Sequence, residues 1–127
     1  SAFARATMEG ISFAERQVLE LSQDLSGTRT SDIILSGRAG NDPHWLKTRL
    51  RTLGKKLRVV NDIEITCRGS AILAHAMLSG DIASSTQVLQ KSGIEHSPSA
   101  HDLEYGEQNF ERFLKEQQFL LAKYNKS

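Results

Sequence analysis

The chain has 127 residues, with 16 Lys and Arg against 15 Asp and Glu, and a formal charge of +1. At 39% hydrophobic and 24% charged residues it lies near globular averages, which excludes wholesale disorder, a collagen-like repeat and a disulfide scaffold. Cys67 is the only thiol and has no internal partner. No run reaches the roughly 18 apolar residues of a membrane span, and Arg5, Glu9 and Arg16 interrupt any signal-peptide core. The expectation is one soluble, cytoplasmic domain over residues 1–127: mainly α, a compact bundle of four to six helices, with 1–11 either a loosely ordered stretch or, over Phe3 to Met8, a further helical turn.

Ser12-Phe13-Ala14-Glu15 reads as a capping box, so a helix is predicted from Ser12 to about residue 25, stopped by Gly27. Ala14, Val18, Leu21 and Leu25 share a face and form its candidate core stripe. From 26 to 42 the chain is rich in Gly, Ser and Thr around Asp32-Ile33-Ile34-Leu35, which predicts a loop holding one short buried element. Within it, Ser36-Gly37-Arg38-Ala39-Gly40 lacks the Lys-Ser/Thr ending of a phosphate-binding P-loop.

Asp42 as N-cap and Pro43 at the first helical position predict a helix over 43–57. Leu46, Leu50, Leu53 and Leu57 fall within a sector of about 60° on it. Residues 58–67 are rich in β-branched side chains, which predicts a strand or a short β-hairpin turning at Asn61-Asp62, with Cys67 buried and inert; a continued helix is the alternative. Short helices follow over 71–78, closed by Gly80, and over about 84–91, closed by Gly93. A loop carries Pro98, and a long helix covers about 101–124.

The +1 total hides a bipolar chain. Residues 29–68 carry nine basic and four acidic side chains, whereas residues 1–28 and 69–127 each have a net charge of −2. Lys47, Arg49, Arg51, Lys55, Lys56 and Arg58 crowd the predicted 43–58 segment, with Trp45 nearby. A cationic row of this kind tracks a phosphate backbone, and an exposed tryptophan stacks on a base. The competing reading pairs the row with the acidic final helix, through Glu104, Glu107, Glu111 and Glu116.

Residues 71–94 resemble a helix-turn-helix unit. Thr86 and Gln87 are its candidate base contacts and Lys91 a phosphate contact, although Val88 lies further past Gly80 than the usual spacing. On the final helix Tyr105 and Phe119 face away from Leu103, Phe110, Leu114 and Leu121, which marks them as candidate interface residues for a homodimer. His96, His101, Asp102 and Glu104 cluster around the Pro98 loop, but their spacing matches no closed metal site. No nucleophile-elbow pattern occurs. The functional expectation is therefore a non-enzymatic domain that binds DNA or RNA without cofactor or metal; the alternative is a protein-interaction domain self-associating through its last helix.

Overall fold

The computed structural model describes residues 1–40, 42–61, 64–89 and 92–124. Helix α1 (Ala2–Ser26) leads into strand β1 (Asp32–Leu35), the single turn α2 (Gly37–Gly40), helix α3 (Pro43–Leu53) and strand β2 (Lys56–Val59). Helices α4 (Ile65–Ser79) and α5 (Ile82–Leu89), strand β3 (Ile94–His96) and helix α6 (Ala100–Tyr124) complete the order. The fold is mainly helical, as expected. Its strands form one mixed sheet in the order β1-β2-β3, with β1 parallel to β2 and β2 antiparallel to β3.

The first helix starts at Ala2, not at Ser12. Residues 2–9 are mostly good helix formers and nothing interrupts them, so the capping-box hydroxyl ends up in mid-helix. Ser1 is the N-cap instead, its side chain accepting from the Ala4 N–H at 3.4 Å. Ser12 is fully buried, 2.5 Å Oγ to Oγ1 from Thr52 of α3, which is also fully buried. Thr52 in turn donates to the Thr48 carbonyl at 3.0 Å, so Ser12 must be the donor of the inter-helix bond. Thr52→Val is expected to cost about 1–3 kcal/mol by stranding the Ser12 hydroxyl, and adding Ser12→Ala should recover most of that loss in urea unfolding. A second substitution that deepened the loss would contradict this pairing.

The predicted core stripe of α1 is also inverted. Ser12, Phe13, Arg16 and Gln23 are its buried residues, while Ala14, Val18, Leu21 and Leu25 face outward. Phe13 anchors the helix against α6, its ring centroid 5.8 Å from Phe110 and 5.6 Å from Phe113.

Asp42 caps α3 as read, with Oδ1 accepting from the N–H groups of His44 at 2.9 Å and Trp45 at 3.0 Å. The helix stops at Leu53 because Gly54 takes a left-handed conformation, φ 60°. Leu57 therefore leaves the helical stripe and becomes a fully buried residue of β2. It points with Val59 to the inner side of the sheet, where Ile33 and Leu35 lie opposite them in the parallel register. The inner end of β1 closes against α1 and α3 around a cleft lined by Leu19, Ile33, Leu35 and Leu53.

Among the described residues of 58–67 there is no hairpin. The strand runs over Lys56–Val59, and its partners are β1 and β3, both distant in sequence. Helix α4 then begins at Ile65, so Thr66 and Cys67 lie in its first turn and the Cys67 thiol is exposed, not buried. Asp62 and Ile63 lie outside the described residues. Helix α6 crosses α3 at Gly106, which is buried with its Cα against the Arg51 carbonyl oxygen, and Leu103 reaches over Gly54. No helix among the described residues is long and apolar enough to cross a membrane.

Candidate functional site

Two consecutive, parallel strands place their carboxyl ends side by side. Leu35 at the end of β1 pairs with Val59 at the end of β2, and the Val60 N–H donates to the Leu35 carbonyl at 2.8 Å. Parallel strands require a crossover, supplied here by α2 and α3, and the crevice beyond the carboxyl ends of such strands is where α/β folds place ligands. The chain leaves β1 through Ser36 and Gly37, whose φ of 75° is a left-handed conformation that a side chain would strain. Gly40 closes that turn against the start of the loop: a Cβ there would lie 3.2 Å from the Leu35 carbonyl carbon. A strand followed by a tight glycine turn and a helix start exposes backbone N–H groups, the donors that anions use.

The exit from β2 has matching chemistry. Helix α4 follows β2 in the chain and starts after Glu64 with no side chain capping its first N–H groups. Gly69, one turn further along α4, has open space where a Cβ would be. An open cleft of about 560 Å³ runs between α1 and α3, with Arg5, Asp42, Trp45, Lys47 and Arg51 among its walls.

The six predicted phosphate contacts do not form one row. Because α3 ends at Gly54, Lys55, Lys56 and Arg58 are not on it. Lys47 and Arg51 line the 560 Å³ cleft, whereas Lys55 lines a separate one of about 270 Å³ with Arg16, Gln23 and Glu107. Most of the cations are also neutralised within the fold. Arg49 binds the Glu15 carboxylate through two nitrogens, at 2.9 and 2.6 Å, and its guanidinium lies 5.0 Å from the centre of the Trp45 ring. Arg51 pairs with Asp102 at 2.9 Å, and Lys56 and Arg58 flank Glu95 at 3.6 and 3.4 Å. Pairing with the final helix thus occurs, though through Asp102 rather than the four glutamates expected. The Ser99 hydroxyl, then its N–H and Arg51, hold the Asp102 carboxyl below the usual carboxylate range.

The helix-turn-helix candidate becomes a helical hairpin. Gly80 ends α4 in the left-handed region, Asp81 caps α5 by accepting from the Ala83 N–H at 2.8 Å, and the second helix starts at Ile82, two residues earlier than read. Buried Ser85 ties the pair together, 2.8 Å from His75 Nδ1. The Thr86 hydroxyl donates to the Ile82 carbonyl of its own helix, Gln87 is exposed, and Lys91 lies outside the described residues. Of the two interface candidates, Phe119 is exposed, but Tyr105 is engaged within the fold: its hydroxyl donates to Glu9 at 2.9 Å and accepts from Arg5 at 2.8 Å. Ser99 caps α6, its Oγ accepting from the Asp102 N–H at 3.1 Å while the Asp102 carboxylate accepts from the Ser99 N–H at 3.1 Å, and among the described residues no three His, Cys, Asp or Glu side chains converge on a cation-sized site.

Comparison with known proteins resolves what this arrangement resembles. Residues 1–78 match the profile of the FGGY family of carbohydrate kinases, C-terminal domain. Over 101 residues the chain is 27% identical to a glycerol kinase of Lactobacillus delbrueckii subsp. bulgaricus, covering 79% of this chain but only 20% of that protein. The chain thus spans about a fifth of the length of this curated relative. No solved structure matches. The matched region contains the glycine turn, α3 and nearly all of α4. These findings overturn the reading as a DNA- or RNA-binding domain, together with its alternative of an assembly domain that self-associates through the last helix. The Ser36–Gly40 turn, which lacks the Lys-Ser/Thr ending of a P-loop, lies within the matched residues.

Proposed function

Because this chain belongs to the FGGY family of carbohydrate kinases, matching its C-terminal domain, we propose that it supplies the nucleotide-phosphate side of a kinase. The reaction moves a phosphoryl group from a nucleoside triphosphate to a hydroxyl of a small polyol or sugar; glycerol is the acceptor for which the curated relative is named. The observation that carries this reading is the Ser36–Gly40 turn at the carboxyl ends of the parallel strands β1 and β2, with the side-chain-uncapped start of α4 following β2 in the chain. Phosphoryl transfer asks little covalent chemistry of a protein and much positioning and charge stabilisation, which backbone donors at a helix start provide. Lys47, in the cleft between α1 and α3, adds positive potential to the surface.

Ser36→Asp tests the site without touching the core, since Ser36 lies in the turn after β1. One added negative charge beside the phosphates should weaken nucleoside triphosphate binding about tenfold, equivalent to about 1.4 kcal/mol, and leave binding of the parent nucleoside unchanged. Calorimetric titration of both proteins reads the effect. Equal triphosphate affinities would remove the phosphates from this turn.

A further inference from the structure

The open cleft of about 560 Å³ between α1 and α3 holds chemistry that the fold does not use up. Arg5, Met8 and Glu9 form one wall, and Trp45, Lys47 and Arg51 the other. The volume is that of a site for a small organic molecule, and the walls combine apolar surface with a few charged groups.

The charges are held in place. Arg5 donates from Nε to Glu9 at 2.9 Å and from Nη2 to the Tyr105 hydroxyl at 2.8 Å, while Arg51 donates from Nε to Asp102 at 2.9 Å. Both guanidinium groups lie against the Tyr105 ring, 5.7 and 5.5 Å from its centre, so α6 fixes the two cations without itself lining the cleft. Neither spends its whole fork of donors: Nη1 of Arg5 and both Nη atoms of Arg51 have no hydrogen-bond partner among the described residues.

The acidic groups are engaged as well. Glu9 answers Arg5, Asp102 answers Arg51, and Asp42 accepts from the N–H groups of His44 and Trp45 at the positive end of α3. One charge is left over. Lys47 is exposed and makes no ion pair or hydrogen bond among the described residues. Beside it the half-buried Trp45 presents a flat ring whose Nε1–H has no partner among the described residues.

We propose that this cleft binds a small organic carboxylate, its head on Lys47 and the unspent N–H groups of Arg51 and its flat apolar body against Trp45 and Met8. An inorganic anion would leave the apolar walls wet, and a neutral molecule would leave Lys47 unanswered. The proposal uses neither the Ser36–Gly40 turn nor the family membership.

Trp45 is the only tryptophan of the chain, so its emission reports on this wall alone. Benzoate is the probe, with benzamide as its uncharged counterpart and acetate as the head without the body. Benzoate should change Trp45 emission saturably, calorimetric titration should return the same dissociation constant, and both controls should bind about tenfold more weakly. Lys47→Gln, at an exposed and unpaired position, should weaken benzoate about tenfold.

Benzamide binding as tightly as benzoate, undiminished binding by Lys47→Gln, or no saturable binding by either measurement overturns the proposal. Repeating the titration at saturating nucleoside triphosphate separates this cleft from the phosphate site. Unchanged benzoate affinity supports a distinct site, whereas competition would make the cleft part of the nucleotide site and refute it. Benzoate binding by a chain that binds no nucleotide keeps the cleft and removes the kinase reading alone.

Discussion

Gly106→Ala is expected to destabilise the chain by about 3 kcal/mol, whereas Gly10→Ala, the same change on another helix, should stabilise it by about 0.5–1 kcal/mol. The opposite signs follow from what surrounds each Cα. At Gly106 an added methyl falls inside contact distance of the Arg51 carbonyl oxygen, and that atom belongs to the α3 backbone, so the only relief is to lift α6 from α3. Lifting it would also pull Asp102 from Arg51 and Phe110 from the aromatic cluster. At Gly10 the methyl meets open space, and only the intrinsic helix preference of alanine remains. Urea midpoints at constant m-value measure both changes. A neutral Gly106→Ala would mean that α6 crosses α3 elsewhere.

Arg16→Ala should cost about 2–3 kcal/mol, with Arg16→Lys recovering less than half of it. Arg16 is the one buried cation of the α1–α3–α6 junction among the described residues. Its guanidinium sits 4.1 Å from the Phe110 ring centre, donates to the Thr52 carbonyl at 3.3 Å and pairs with Glu107 at 2.7 Å and Glu20 at 2.8 Å. A lysine ammonium is a point charge and cannot cover the ring while filling three directions at once. The two carboxylates are largely solvated, so they rehydrate when the arginine is lost, and Glu107→Gln alone should change stability by less than about 1 kcal/mol. If Glu107→Gln matched Arg16→Ala, the ion pair rather than the burial of the guanidinium would be the dominant contribution.

Local structure is legible in the sequence where a single residue decides local geometry. Asp42-Pro43 fixed the start of α3, Gly80 the end of α4, and Asp32–Leu35 the short element that became β1. What sequence reasoning could not see was partnership. Leu46 to Leu57 keeps perfect helical spacing, yet one left-handed Gly54 converts its last member into a strand residue whose register depends on β1 and β3. Likewise the apolar stripe of α1 was correctly periodic and wrongly assigned to this chain's own core, because periodicity identifies a face without saying what lies against it. The basic segment misled for a related reason. Its charge was counted along the chain, and the carboxylates that neutralise Arg49 and Arg51 come from α1 and α6.

The candidate site was hidden by its composition. A turn of Ser36, Gly37, Arg38, Ala39 and Gly40 has two glycines and no metal ligand, so nucleophile and metal-ligand patterns pass over it. Its meaning depends on β1 and β2 being parallel neighbours, a pairing that local periodicity cannot supply.

Amide chemical shifts of the isotopically labelled chain, followed during titration with a nucleoside triphosphate, test this assignment most directly. The largest changes should fall at Gly37, Gly40 and the first turn of α4 from Ile65 to Arg68, with Thr86 and Gln87 unmoved. Changes centred on α5 or on Lys55 to Arg58, or none anywhere at saturating nucleotide, would contradict it.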